Sequence, residues 1–123
     1  MKIIKTNEVS SIVIDWMVAK CEGKNGVLHD DGITRCIVIA AASGVYKGIW
    51  KPTVNWSQGG PIIERELIEL SVSGETLDGM WVAKSPDWHL PATGPTPLIA
   101  AMRCYVTSKL GDSVEVPNEL LGN

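Results

Sequence analysis

The sequence predicts an α+β fold, in which two helices pack on a small, mostly antiparallel sheet. Two segments, 7–22 and 96–110, place apolar residues at the three- and four-residue spacing of a helix. Between them lie four to six short segments that are rich in β-branched residues and are separated by glycine, proline and asparagine. The 123-residue length fits one domain spanning 1–123.

The N-terminal part predicts a short strand followed by the first helix. Residues 2–5 (KIIK) can form an edge strand, and the hydroxyl of Thr6 can cap the helix at 7–22. Gly23 is typical of the position just after a helix end, because it accepts a left-handed backbone. The apolar stripe of this helix comprises Val9, Ile12, Val13, Trp16 and Met17.

The central part predicts hairpins around one loop. A buried strand is expected at 33–42 and its hairpin partner at 44–51, because both segments are rich in residues that favour strands. Prolines bound the segment 52–61, which predicts a loop. Residues 62–74 fit either a helix or a strand, and we favour a hairpin with 77–84.

The C-terminal part contains the clearest helix. Residues 85–97 hold four of the seven prolines and predict a long irregular stretch. Thr96 can cap the helix that follows, and Pro97 suits its first position because a missing N–H costs nothing there. The remaining features are a helix end at Gly111, a short strand at 113–117 and a frayed tail at 118–123.

Composition and charge exclude several classes of protein. The net charge of −3 provides no basic face for generic binding to a nucleic-acid backbone. The odd number of widely spaced cysteines, Cys21, Cys36 and Cys104, predicts reduced, buried thiols. We expect neither a signal peptide nor a membrane span, because no apolar run is long enough, and therefore a cytosolic protein.

The sequence carries no motif of a known catalytic chemistry. His29 and His89 lack metal-ligand spacing, and GxSxG, phosphate-loop and dinucleotide-binding patterns are missing, so we expect neither a metal nor a cofactor. Carboxylates that could act in acid–base catalysis are present, which leaves an enzyme open as an alternative. These carboxylates are Glu64, Glu66, Glu69, Asp78 and Asp87.

Two similar segments, NWSQGGP at 55–61 and DWHLPATGP at 87–95, predict a ligand site instead. Each runs from a tryptophan to Gly-Pro, so an aromatic face that can stack lies near accessible backbone. The second segment leads into a helix N-terminus, which favours an anion. The candidate ligand-binding residues are Trp50, Trp56, Gly59, Gly60, Arg65, Trp88, Thr96 and Arg103.

Each candidate also has a structural interpretation. The tryptophans of the two segments could simply anchor loops, and Arg103 could form an ion pair with Glu64 or Glu66. Trp16 and Trp81 are expected in the core, because they lie in predicted regular elements.

Three long blocks of the chain resemble the NinX-like proteins of tailed phages and prophages. They are TNEVSSIVIDWMVAKCEG, KPTVNWSQGGPIIERE and GPTPLIAAMRCYVTSKLGDSVEVP. The loop of that family commonly runs from an aromatic residue through Pro and Asp-Trp to Gly-Gly-Pro, and here Trp50 stands for the aromatic residue and Asn55 for the Asp. The resemblance implies a phage accessory protein of the host bacterial cytoplasm and implies no particular activity.

Together these observations favour a non-enzymatic protein that binds a small anionic, nucleotide-like ligand. From the phage context we hypothesise that it sequesters a signal of host defence. The alternatives are a module that interacts with a host or phage protein through exposed tryptophans, and an enzyme that processes a nucleotide. We also expect a homodimer or larger oligomer that completes the pocket across a symmetric interface.

Overall fold

The computed structural model describes residues 1–6, 9–72 and 80–121, and of Trp88 and His89 it describes the backbone only. The described part has an α+β architecture with three α-helices and three small antiparallel sheets, which confirms the predicted class. In chain order the elements are β1 (Lys2–Lys5), α1 (Ser11–Cys21), β2 (Gly26–Asp30), β3 (Arg35–Ala40), β4 (Tyr46–Trp50), α2 (Trp56–Arg65), β5 (Glu69–Val72), β6 (Trp81–Ser85), β7 (Trp88–Gly94), α3 (Pro97–Leu110), β8 (Ser113–Val116) and a 3₁₀ helix (Asn118–Leu121).

The strands form three separate antiparallel sheets. β1 pairs with β8, so the two predicted short strands near the chain ends lie side by side. β2, β3 and β4 follow one another, which confirms the hairpin of 33–42 with 44–51. β5, β6 and β7 form the third sheet, and the favoured hairpin is confirmed where β5 pairs with β6; residues 73–79 between them lie outside the described part.

Two segments predicted to be irregular are ordered. Most of 85–97 forms β7, because its backbone completes the ladder along β6 from Ser85 to Trp81 despite the prolines. The predicted tail at 118–123 contains the 3₁₀ helix, whose Leu120 is buried in the core. Prolines and terminal position therefore misled the prediction, since tertiary pairing and burial decide both segments.

The first helix begins later than predicted, at Ser11 with Ser10 in the N-cap position. Thr6 does not cap it. The Oγ1 of Thr6 is instead buried between the Oγ1 of Thr107, at 3.0 Å, and the carbonyl oxygen of Gly111, to which it donates at 2.9 Å. The predicted end is confirmed, because Gly23 follows the helix with a φ of 70°.

The third helix, α3, forms as predicted and lies at the centre of the molecule. The Oγ1 of Thr96 accepts from the N–H of Ile99 at 3.1 Å, Pro97 occupies the first turn, and Gly111 follows with a φ of 85°. α3 packs against β6, β7 and α1, so most of its side chains are buried. This helix therefore joins the third sheet to α1 through the core.

Tryptophans and cysteines are placed only partly as the sequence predicts. Trp50 is 8% exposed and belongs to the core, whereas Trp16 and Trp81 are half-buried and pack against it. All three cysteines are free thiols; Cys104 is buried, and the other two are partly accessible.

The second helix, α2, replaces the loop that the sequence predicts at 52–61. It contains two adjacent glycines and Pro61, each of which is unfavourable inside a helix. Asn55 caps it, with its Oδ1 accepting from the N–H of Ser57 at 2.9 Å and from the Ser57 hydroxyl at 2.6 Å. Tertiary contacts therefore impose a helix on a segment whose composition favours a turn.

Candidate functional site

Trp56, the first residue of α2, lies on the surface at the mouth of a cavity. Its side chain is 53% exposed. A cavity of about 200 Å³, which we call the Trp56 cavity, is bounded by this ring, by the segment before α2 and by the start of α3. The lining residues are Thr53, Val54, Trp56, Thr96, Pro97 and Leu98. The structure thus brings Trp56 and Thr96 together.

Gln58 holds α2 against the end of the second sheet. Its side-chain Nε2 donates to the carbonyl oxygen of Ile49 at 2.9 Å, and its Oε1 accepts from the N–H of Lys51 at 2.8 Å. Because both bonds go to the backbone, they fix the first turn of the helix relative to β4. Trp56 is presented from this fixed turn.

The two glycines of α2 have different environments. A Cβ added to Gly59 would lie 2.6 Å from Cδ2 of Leu98 and 2.6 Å from the carbonyl oxygen of Pro52. A Cβ on Gly60 would meet nothing closer than the Trp56 ring, at 3.8 Å. Gly59 therefore allows α2 to approach α3, and neither glycine is among the residues lining the Trp56 cavity.

The start of α3 offers fewer amides than the sequence suggested. Pro97 has no N–H, the N–H of Ile99 is bonded to the Thr96 hydroxyl, and that of Ala100 is bonded to the Thr96 carbonyl oxygen. Of the first amides of the helix, at 97–99, that of Leu98 alone has no partner among the described residues. The helix end is largely self-capped, so charge for an anion has to come from side chains.

Such side chains line a second cavity of about 240 Å³, which we call the Asp15 cavity. Thr53 and Val54 line both cavities, so the two adjoin along this segment. The Asp15 cavity contains one buried carboxyl group, two cations and an apolar wall. Its lining residues are Ser11, Ile12, Asp15, Thr34, Arg35, Cys36, Ile49, Lys51, Thr53 and Val54.

Asp15 is a functional candidate that the sequence reasoning missed. It lies on α1, is 5% exposed, and its Oδ1 accepts from the N–H of Thr53 at 3.1 Å. Burial raises the pKa of Asp15 to about 7, although the bond from the Thr53 N–H and the positive charge of Lys51 oppose the rise. The available signal was a single carboxylate inside the apolar run IVIDWMVA, where a helix faces the core.

The two cationic side chains that line the Asp15 cavity differ in whether they have bonding partners. Arg35 Nη2 donates to the carbonyl oxygen of Glu119 at 2.6 Å, and its Nε lies 3.5 Å from a carboxylate oxygen of Asp30. Lys51 forms no ion pair with any residue that the structure describes. Lys51 is therefore the cation available to an incoming ligand.

Arg65 and Arg103 lie away from both cavities. Arg65 contacts Glu22 through two bonds of 3.0 and 2.7 Å and Glu66 through one of 2.9 Å, and its guanidinium lowers the pKa of both carboxyl groups. Arg103 donates to the carbonyl oxygens of Thr93 and Val9, at 2.9 and 3.0 Å. The ion pair considered for Arg103 is not formed within the described ranges, since both bonds go to the backbone.

Two tryptophans complete the predicted set. The ring of Trp50 is in the core, and the ammonium group of Lys24 lies 5.3 Å from its centre on the outer side. The side chain of Trp88 lies outside the described part. Of the eight candidates, the structure places Trp56 and Thr96 on one cavity, with Gly59 and Gly60 in the helix behind it.

Residues 1–6, 9–72 and 80–121 contain no cluster of three His, Cys, Asp or Glu side chains that could hold a metal ion. In the same residues, no helix has the length and apolar character that a membrane crossing requires.

Comparison with known proteins identifies the family. The family model described as "Bacteriophage P22, NinX" matches residues 5–109, a span that includes every residue lining the two cavities. The comparison with curated proteins gave no match. Because the matched span covers most of the chain, this protein belongs to the NinX family of bacteriophage proteins.

Proposed function

We propose that this phage protein binds a small anionic, nucleotide-like ligand without transforming it, in the two adjoining cavities. The observation that carries the proposal is an exposed Trp56 ring on one cavity and Lys51, which forms no ion pair with a described residue, on the other. Thr53 and Val54 line both cavities. A ring that stacks and a cation that neutralises are the two parts that a nucleotide requires.

The surroundings support a ligand with one flat apolar part and one charged part. Val54 and Ile49 are more than half exposed and extend the apolar surface from Trp56 towards the Asp15 cavity. Stacking of a base on an aromatic ring contributes roughly 1–3 kcal/mol. Because Lys51 lies at the surface, its contribution falls with added salt.

A panel of nucleotides and nucleosides tests the proposal by thermal shift, followed by chromatography of the ligand recovered from heated protein. We expect at least one nucleotide to raise the melting temperature and to be recovered unchanged. Trp56→Ala should weaken its binding by roughly tenfold or more, with little loss of stability. Trp16→Ala is the control, because its half-buried ring should affect stability and leave binding intact.

A matched pair of lysine variants tests the contribution of positive charge to binding. Lys51→Gln should weaken binding, whereas Lys2→Gln, which removes an exposed lysine that lines neither cavity, should not. Absence of any shift across the panel would contradict the proposal. A new chemical species in the recovered ligand would favour the nucleotide-processing enzyme over a binder.

The biological role that we propose is sequestration of a nucleotide signal in the cytoplasm of the host bacterium. A protein that binds its ligand without transforming it can remove only as many ligand molecules as it has binding sites. The protein would therefore have to reach the concentration of the signal, which quantitative blotting of infected cells would measure.

A second candidate function is protein–protein interaction, and a separate groove favours it. A cavity of about 610 Å³ is lined by residues of the third sheet and by Leu67 and Leu90, which are 73% and 55% exposed. Exposed leucines beside a concave surface are typical of contact sites. The lining residues are Leu67, Glu69, Lys84, Ser85, Pro86, Leu90 and Pro91.

We propose this groove as the contact of a homo-oligomer, because one acid and one base on its lining suit a symmetric pairing. Light scattering at tens of micromolar should give more than the monomer mass, and Leu90→Asp should restore the monomer. A monomeric wild-type protein would exclude self-association, and capture of a phage or host protein that Leu90→Asp abolishes would then identify a different partner.

A further inference from the structure

We infer that Asp15 determines which charge the site accepts: its protonated carboxyl group donates a hydrogen bond to an oxyanion of the ligand, so that the oxyanion binds together with one proton. This inference rests on the proposed function. It assigns the chemical class of the charged part of the ligand and the residue that selects it.

The position of Asp15 suits such a contact. The side chain projects from α1 into a cavity wall, and the N–H of Thr53 fixes Oδ1 at 3.1 Å. Among the hydrogen bonds of the described residues, none is made by Oδ2. One carboxyl oxygen of this cavity-lining residue is therefore held by the protein, while the other has no partner among the described residues.

The charges around Asp15 favour an anion as its partner. Lys51, after β4, and Arg35, on β3, are the other charged residues that line the cavity. A cationic ligand would meet both of these, whereas an oxyanion would be attracted by them and opposed by an ionised Asp15. Protonation removes that repulsion and supplies a donor, because a protonated carboxyl group carries an O–H.

Burial keeps the proton on Asp15 near neutral pH. The pKa of about 7 means that roughly half of the molecules carry a neutral Asp15 at that pH. Two oxyanions in contact cannot both be ionised without a large cost, so a bound oxyanion should hold the proton more firmly. Proton uptake is thus a consequence of the shared cavity.

Sulfate alone tests the inference, since its charge does not change between pH 6 and pH 8. Titration of isotope-labelled protein, observed through the amides of Thr53 and Val54, gives a Kd at each pH against chloride of the same ionic strength. The wild-type Kd should rise about tenfold from pH 6 to pH 8, because the protonated fraction of Asp15 falls by about that factor.

Asp15→Asn supplies the decisive comparison, because its amide is a permanent donor of nearly the same shape. It should bind sulfate equally at both pH values, with a Kd close to that of the wild type at pH 6. His29→Gln is the control, because His29 lies on β2 opposite Cys36, which lines the cavity. Its imidazole lies 3.5 Å from Asp31 and is not among the residues lining the cavity, so the wild-type pH dependence should persist.

Several outcomes would overturn the inference. They are a wild-type Kd that does not change with pH, tighter binding at pH 8, loss of binding in Asp15→Asn at both pH values, and no sulfate binding at all. A panel nucleotide that still binds through Trp56 would then leave the proposed function standing. Failure of every nucleotide would instead overturn the proposed function itself, whatever sulfate does.

Discussion

The buried carboxyl group of Asp15 makes the stability of the folded chain depend on pH. In the unfolded chain this group ionises near pH 4, whereas in the fold its pKa is about 7. The folded state therefore binds more protons between these values, and the free energy of unfolding falls as pH rises from about 4 to about 7. Glu22 and Glu66 have lowered pKa values and act in the opposite sense, since their stabilisation is lost as pH falls below about 4.5.

We predict that Asp15→Asn removes the decline between pH 4 and pH 7. At pH 8 the variant should be more stable than the wild type by about 2–4 kcal/mol, because a shift of about three pKa units corresponds to about 4 kcal/mol and a buried amide keeps the Thr53 bond. Near pH 4.5 the two proteins should be similar. Urea unfolding at half-unit steps of pH measures the difference, and parallel curves throughout would contradict the assigned pKa.

At single positions, the sequence indicated those residues whose role depends on local chemistry. Thr96 caps a helix through its own hydroxyl, at a position that its neighbours in the sequence indicate. Trp56, which is exposed, was selected because two glycines follow it closely in the sequence. Asp15 was missed because its role depends on Thr53 and Lys51, which are remote in sequence and near in space. No pattern within one helix reveals such a partner.

At the scale of elements, α2 shows how tertiary contacts override composition. Two glycines disfavour a helix by about 1 kcal/mol each relative to alanine, and an internal proline by about 3 kcal/mol. The Asn55 cap, the two bonds of Gln58 and the close approach at Gly59 offset this cost. The predicted loop was wrong because Ile49, Lys51 and Leu98, which contact Gln58 and Gly59, lie outside the segment 52–61.

We predict opposite effects for two adjacent substitutions in α2. Gly59→Ala should destabilise the protein by about 1–3 kcal/mol, since the new methyl group would clash with the backbone of Pro52 and with Leu98. Gly60→Ala should be neutral or stabilise by up to about 1 kcal/mol, because its site is open and alanine favours a helix. Thermal and urea unfolding of the matched pair decide this, and equal effects would refute the close approach.

The end of α2 illustrates a second limit of prediction. Leu67 takes the left-handed position, with a φ of 56°, while the N–H of Ile68 bonds back to the carbonyl oxygen of Ile63 at 3.1 Å. Glycine is the usual residue at this position, so a leucine here does not indicate a helix end. By contrast, α3 carries a threonine, a proline and a glycine at the expected places, and its bounds were predicted almost to the residue.

At the scale of the whole molecule, the two ends of the described chain are joined. β1 pairs with β8, and Thr6 links the start of the chain to Thr107 and Gly111 at the end of α3. These contacts span about a hundred residues of sequence, so no local pattern could indicate them. The class of fold was predictable from periodicity, whereas the division into three sheets was not.

We predict that Thr6→Val destabilises the protein by about 1–3 kcal/mol, because it leaves the buried Thr107 hydroxyl and the Gly111 carbonyl without their partner. Thr6→Ser keeps the hydroxyl and should cost clearly less. Chemical unfolding of both variants provides the measurement. Equal losses would show that the methyl group, rather than the hydrogen bonds, matters at this position.

Because the composition of α2 does not favour its helical conformation, this helix should open locally more readily than α3. A helix held by its surroundings opens when a few of those contacts break, whereas α3 has mostly buried side chains and exposes its backbone only when the core is lost. The amides of α2 should therefore exchange with solvent deuterium through local opening, and those of α3 through global unfolding. Trp56 consequently belongs to a segment with its own cooperativity, and a molecule that stacks on it would slow exchange there first.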